Sequence, residues 1–360
     1  MNTQMQAKNR ISWIDIAKAI GILFVLINHA ELHLGIVTYL GGMFYMPVFF
    51  VLSGYTFKER QSETLLIFTK HKAKRLLIPY AFFQLLLVGM VTFKNIFAGQ
   101  TLSNPALPFI GAIYSRNALY PNSSDVLVKV SNDNIHLMTA MNAPLWFLTG
   151  LFISLVMYKF ILGLAKQNEK REYSYIGISM LIGIAFKYFC PILLPWSIDT
   201  AFIYVGFLHL GRILKRKNGL ECLYHKPAVI LGILLIFIGV SFMNGSGNLS
   251  IRDFGNSVLL NFAAGGFGVV CILLLSKAVE EHLTHLSCLL KSIGRHTIGI
   301  LALHVLVFTM TEYVCFRFNL SGQVIEKVAK IVLSVVILVP IDWFIQKYLP
   351  LVYGIKRRNE

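Results

Sequence analysis

Ten long apolar runs, parted by short polar stretches, constrain this chain more than any other feature of its sequence. They lie at about 13–35, 40–57, 76–97, 144–163, 174–191, 198–214, 227–243, 256–276, 297–314 and 329–351. A run of about 17–24 residues is what a helix needs to cross the ~30 Å hydrocarbon core of a bilayer. Hydrophobic residues make up 56% of the chain and charged ones 14%. A soluble domain carries about 25% charged residues, so lipid is the solvent that fits. Lipid cannot satisfy backbone polar groups, and helices satisfy their own without closing a barrel. The expected fold is all-α: a polytopic membrane protein of about ten transmembrane helices, forming a single domain over 1–360.

The formal net charge is +16. Nucleic-acid binding would need a basic face on a folded domain, whereas here Lys and Arg sit in clusters between apolar runs, as the positive-inside rule requires. With Lys8 and Arg10 inside, alternate connections collect Lys58, Arg60, Lys70, Lys72, Lys74 and Arg75, then Lys166, Lys170 and Arg171, then Arg212 to Lys226, then Lys277, Lys291 and Arg295, and last Lys356, Arg357 and Arg358. The opposite set holds only Arg116, Lys129, Arg252, Arg317 and Lys327. Both termini are therefore expected in the cytoplasm, with the protein multi-pass in the cell (inner or plasma) membrane. The first run exceeds a signal-peptide core of about 7–15 residues, so it is expected to stay as a helix.

A long polar connection at about 98–143 is expected outside, as a lip over a site or as a tether. The five cysteines are scattered without a CxxC pair. Only Cys190 and Cys315, on the same expected side, suit a disulfide.

Ionisable side chains in a membrane segment are costly and mark function by default. The first run holds Asp15, Lys18, His29, Glu31 and His33. At about 100° per residue, the steps from Lys18 to His29 return to within roughly 20° of one face. Asp15 and His33 lie one turn beyond each, so a single stripe is expected to carry all four. Asp15 and Lys18 could equally pair at the interface, and His29 could serve as a structural hydrogen-bond partner. His29 and His33 also suit two metal ligands on one turn, but no third ligand accompanies them and no metal is expected.

Five segments carry a resemblance. They are Arg10 to Lys18 with His29, a basic residue, ten intervening residues and a histidine; Met46-Pro47-Val48-Phe49-Phe50 with Ser53-Gly54-Tyr55; Lys72-Ala73-Lys74-Arg75 with Pro79-Tyr80; Ala143-Pro144-Leu145-Trp146-Phe147; and Gly294-Arg295-His296-Thr297 with His304. In this order the chain resembles the acyltransferase-3 family of membrane O-acyltransferases, particularly sugar O-acetylases of bacterial envelopes. Tyr45 stands where many of these have histidine before Met-Pro. Lys18 and Lys72 stand where arginine is common, keeping the charge without the bidentate fork. Thr297 replaces the usual serine.

The resemblance implies transfer of an acetyl group from acetyl-CoA to a hydroxyl of a cell-envelope glycan, lipid-linked or exported. His29 would be the general base, a role suited to imidazole, with Asp15 holding Lys18. Lys72, Lys74, Arg75 and Arg295 would meet the phosphates of CoA. His33, Tyr45, Ser53, Trp146 and His304 are further candidates for the substrate site. Transfer of another acyl group such as succinyl, or to a lipid or peptide, belongs to the same chemistry. A secondary transporter is the rival from another class, and no repeat between the two halves supports it.

Overall fold

The computed structural model describes residues 11–60, 63–97, 107–116, 121, 127–130, 133–136 and 142–355. Lys8, Arg10, Lys356, Arg357, Arg358 and most of the 98–143 connection lie outside the described residues. The helices are α1 (Ser12–His29), α2 (Ile36–Phe44), α3 (Pro47–Tyr55), α4 (Leu65–Phe97), α5 (Leu107–Tyr114), α6 (Trp146–Ala165) and α7 (Glu169–Phe189). They continue with α8 (Ile198–Arg216), α9 (Gly219–Tyr224), α10 (Pro227–Asn244), α11 (Val258–His282), α12 (Thr284–Arg295), α13 (Thr297–Arg317) and α14 (Val324–Tyr348). A small antiparallel hairpin, β1 (Leu127–Val130) with β2 (Asp133–His136), lies within the long connection, pairing Leu127 with His136.

Among the described residues, 8 helices are long and apolar enough to cross a membrane, or 9 if the pair α2 and α3, bent by 42°, counts as one span. The protein is a polytopic helical membrane protein. The run expected at 174–191 is a helix, α7, but its first turns hold Glu169, Lys170, Arg171 and Glu172, and it falls short of that apolarity. Two boundaries differ from the sequence reading. The first helix stops at His29 rather than near residue 35, because Glu31 (φ 53°) and Gly35 (φ 58°) take left-handed backbone that an α-helix cannot continue through. The helix expected from 76 begins at Leu65, so Lys70 to Arg75 lie on it. Lys and Arg are good helix formers, and their long stems let the charges reach out from an apolar surface.

The described chain divides into two compact units. The first comprises residues through Tyr55, then 213–246 and 259–343. Its centre is α1, whose Ile16, Ala17, Ala19 and Leu26 are fully buried. Helix α12 lies along α1 most closely. Gly294 makes this possible, since a Cβ there would overlap the carbonyl oxygen of Asp15. On another side of α1, Phe24 meets Phe44 edge to face at 5.0 Å.

The second unit comprises Thr56–Arg212, Gly247–Val258 and the chain from Phe344. Helices α4 and α6 pack together, and the turn Pro350–Tyr353 folds onto α4. Gly354 (φ 62°) sits where a Cβ would overlap the carbonyl oxygen of Lys74. Trp146, opening α6, is buried with Tyr204 at 6.4 Å between ring centres.

Candidate functional site

Helix α1 delivers His29 as its last residue, with the side chain exposed, and α13 delivers His304, fully buried. Nδ1 of His304 lies 3.1 Å from the carbonyl oxygen of Ile300 and 2.9 Å from that of Leu301. Both partners can only accept, so this nitrogen carries the hydrogen. In the neutral ring Nε2 is then the acceptor, and it faces Nδ1 of His29 at 3.4 Å. His29 donates across that long contact, and its own Nε2 keeps a lone pair. The rings meet at 77° with centres 5.0 Å apart. A tautomer fixed from behind leaves the other ring nitrogen with a free lone pair, which suits proton abstraction.

The stripe expected from Asp15 to His33 is not continuous. Because α1 ends at His29, His33 lies on the following turn, where its Nδ1 is 2.7 Å from the carbonyl oxygen of Glu31. That oxygen also accepts from Nζ of Lys327 at 2.9 Å. His33, Glu31, Asn28, Thr38 and Tyr45 line a half-open cavity of about 300 Å³. Here the Asn28 amide donates to the Tyr45 hydroxyl at 3.3 Å. Tyr45 is thus joined to Asn28, a residue that the sequence reading passed over.

Toward the start of α1, Asp15 is buried and takes two cations. Nζ of Lys18 lies 3.5 Å from one carboxylate oxygen and Nε of Arg295 3.8 Å from the other. The pairing of Asp15 with Lys18 agrees with expectation. Arg295, expected at donor phosphates, leans on Asp15 and remains half exposed.

In the second unit, Lys72 and Arg75 line a cavity of about 230 Å³ together with Lys58, Arg60 and His71. The Lys72 ammonium lies 5.3 Å from the ring centre of Phe68. Lys74 is not among the residues lining that cavity, and its exposed side chain leaves the helix elsewhere. Ser53 is half-buried on α3, in the first unit.

Two buried polar groups went unread in the sequence. Nδ1 of His296 lies 2.7 Å from the carboxylate of the fully buried Asp342, on α14. A lone acid in an apolar run was the available signal. Asp199 is also fully buried and pairs with Arg252 at 2.9 Å and Arg116 at 3.4 Å. Arg252 further donates to the carbonyls of Ile192 and Cys190, and Arg116 to the Ser197 hydroxyl at 2.6 Å. Burial lowers the pKa of the Arg116 guanidinium from its ordinary value, opposed by Asp199. Cys190 and Cys315 are free thiols, which removes the suggested disulfide.

No curated protein and no solved structure matches the chain at a significant level. The model of an acyltransferase domain family does, over residues 11–344, and so takes in α1 with its terminal histidine, the basic helix α4 and the Gly-Arg-His segment before α13. The chain is a membrane acyltransferase and belongs to the acyltransferase 3 family.

Proposed function

We propose that the protein transfers an acetyl group from acetyl-CoA to a hydroxyl of a cell-envelope or exported glycan, with His29 as general base. The observation that carries this reading is the His29–His304 contact at 3.4 Å. With the His304 proton committed to two carbonyls, Nε2 of His29 is left to take the acceptor's hydroxyl proton. The hydroxyl oxygen then bonds to the acetyl carbonyl carbon. The tetrahedral intermediate collapses with cleavage of the carbon–sulfur bond, and the proton leaves on the CoA thiol. Asp15 positions Lys18 and Arg295 in this scheme and does not touch the acceptor.

The cavity lined by Lys72, Arg75, Lys58 and Arg60 offers cationic donors suited to the phosphates of CoA. The cavity beside Asn28 and Tyr45 offers amide, hydroxyl and imidazole groups, the polar set that a sugar ring engages. With the basic clusters placed in the cytoplasm, His29 stands at the outward end of α1, which favours an acceptor arriving from outside.

The test is transfer of radiolabelled acetyl from acetyl-CoA to membrane glycans by wild type and His29→Ala at matched expression. Label with wild type that vanishes in the variant supports the reading. Equal label in both removes His29 from the chemistry.

A further inference from the structure

Two concavities in the second unit join end to end. One, of about 550 Å³, lies at the end of α6 and is lined by Arg60, Lys159 and Lys166 together with Glu59 and Glu63. The other, also about 550 Å³, is an almost wholly apolar groove between α6, α7 and α8, lined by residues such as Ile153, Met157, Ile178, Ile182 and Phe202. Phe160 and Leu164 belong to both, so the polar chamber opens directly into the groove.

Charge at the polar end is biased toward cations. Glu59 is held by Arg212 at 2.7 Å and Glu63 lies 2.9 Å from a ring nitrogen of His71. Among the described residues no carboxylate pairs with Arg60, Lys159 or Lys166. The Lys159 ammonium is instead 6.0 Å from the ring centre of Phe68 and 3.5 Å from the carbonyl oxygen of Arg60. Lys166 (φ 50°) and Gln167 (φ 63°) turn the chain away just after α6 ends, which leaves the chamber open.

The groove has a telling length. From Leu164 back to Ile153 along α6 is about 16 Å at ~1.5 Å per residue, close to half of the ~30 Å hydrocarbon core. That is the depth of one leaflet, and the cations stand at its polar boundary.

We propose that the second unit binds an anionic phospholipid, its phosphate at Lys159 and Lys166 and one acyl chain in the groove between α6, α7 and α8. The groove excludes a soluble anion as the full ligand, because phosphate alone leaves its apolar walls uncovered. The cations distinguish an anionic headgroup from a zwitterionic one, since a choline would bring a positive charge to a basic chamber. None of this depends on His29 or on the identity of the acyl acceptor.

The experiment is native mass spectrometry of the full-length protein released from vesicles of equal phosphatidylglycerol and phosphatidylcholine. Wild type is expected to retain one phosphatidylglycerol. Replacing Lys159→Gln and Lys166→Gln together is expected to lower that retention roughly thirtyfold, at about 1 kcal/mol per basic residue. Ile178→Trp, which fills the groove, is expected to abolish it, and Ile182→Trp serves should the first variant lose its helical circular dichroism. Glycerol phosphate added in excess is expected to displace nothing. Equal retention of the two lipids, retention unchanged in the folded variants, or displacement by glycerol phosphate would each overturn the proposal.

Discussion

Nδ1 of His29 faces Nε2 of His304 at 3.4 Å, one ring exposed at the end of α1 and the other fully buried in α13. In the proposed scheme the buried partner acts by fixing which nitrogen of the exposed ring is basic. Under the proposed mechanism, His29→Ala lowers turnover roughly 10²–10⁴-fold, the range of a general base. His304→Ala should cost less in kcat, leave KM for the donor nearly unchanged, and alter the acidic limb of the pH–rate profile, where protonation of His29 removes the base. Steady-state kinetics across pH, with both variants folded, checks this. A His304→Ala profile that superimposes on wild type removes the positioning role.

Lys72 and Arg75 line one cavity while Lys74 does not. If that cavity receives the donor's phosphates, Lys72→Gln and Arg75→Gln each raise KM for acetyl-CoA about tenfold or more, the worth of a hydrogen bond to a charged group. Lys74→Gln should stay near wild type. Initial rates over a donor concentration series separate the three, and equal effects at all three positions would mean bulk charge rather than a site.

Gly294 allows α12 to approach the backbone of Asp15. Backbone cannot swing aside as a side chain does, so Gly294→Ala must push the helices apart. We expect a loss of about 1–3 kcal/mol or more, read as a lower thermal unfolding midpoint in detergent. Gly163→Ala is the control, because a Cβ there meets open space. It should leave the midpoint unchanged or slightly raised.

Asp199 carries the charge that Arg116 and Arg252 need, and all three are buried. Asp199→Asn leaves two guanidinium groups inside without a counter-charge. Breaking a buried pair in this way costs about 3–5 kcal/mol. Thermal unfolding and the yield of monodisperse protein measure it. Asp199→Glu, which keeps the charge, should recover part of the loss.

The spans were legible because apolar length is a strong, local signal. The boundary of α1 was not. Ala30, Leu32 and Leu34 carry the apolar run past the helix end, and the left-handed backbone at Glu31 has no mark in composition. This moved His33 off the stripe expected for it and set Asn28 against Tyr45 instead. His29 could be singled out from one segment, but its partner lies 275 residues away and only the packing of α13 on α1 brings them together. Arg116 and Arg252 read as ordinary loop charges, since their shared acid sits in a third segment. Asp342 was different: an acid alone in an apolar run was open to reading, and it was missed.

The end of α1 at His29 has one more consequence. The peptide groups of this 18-residue helix all point their carbonyls toward that end, which gives it a partial negative charge of roughly half an electron. A proton arriving on His29 would make an imidazolium at the pole where a cation is stabilised, by about 0.3–1 kcal/mol. The early stop of the helix thus supplies a standing electric field that would favour the cation.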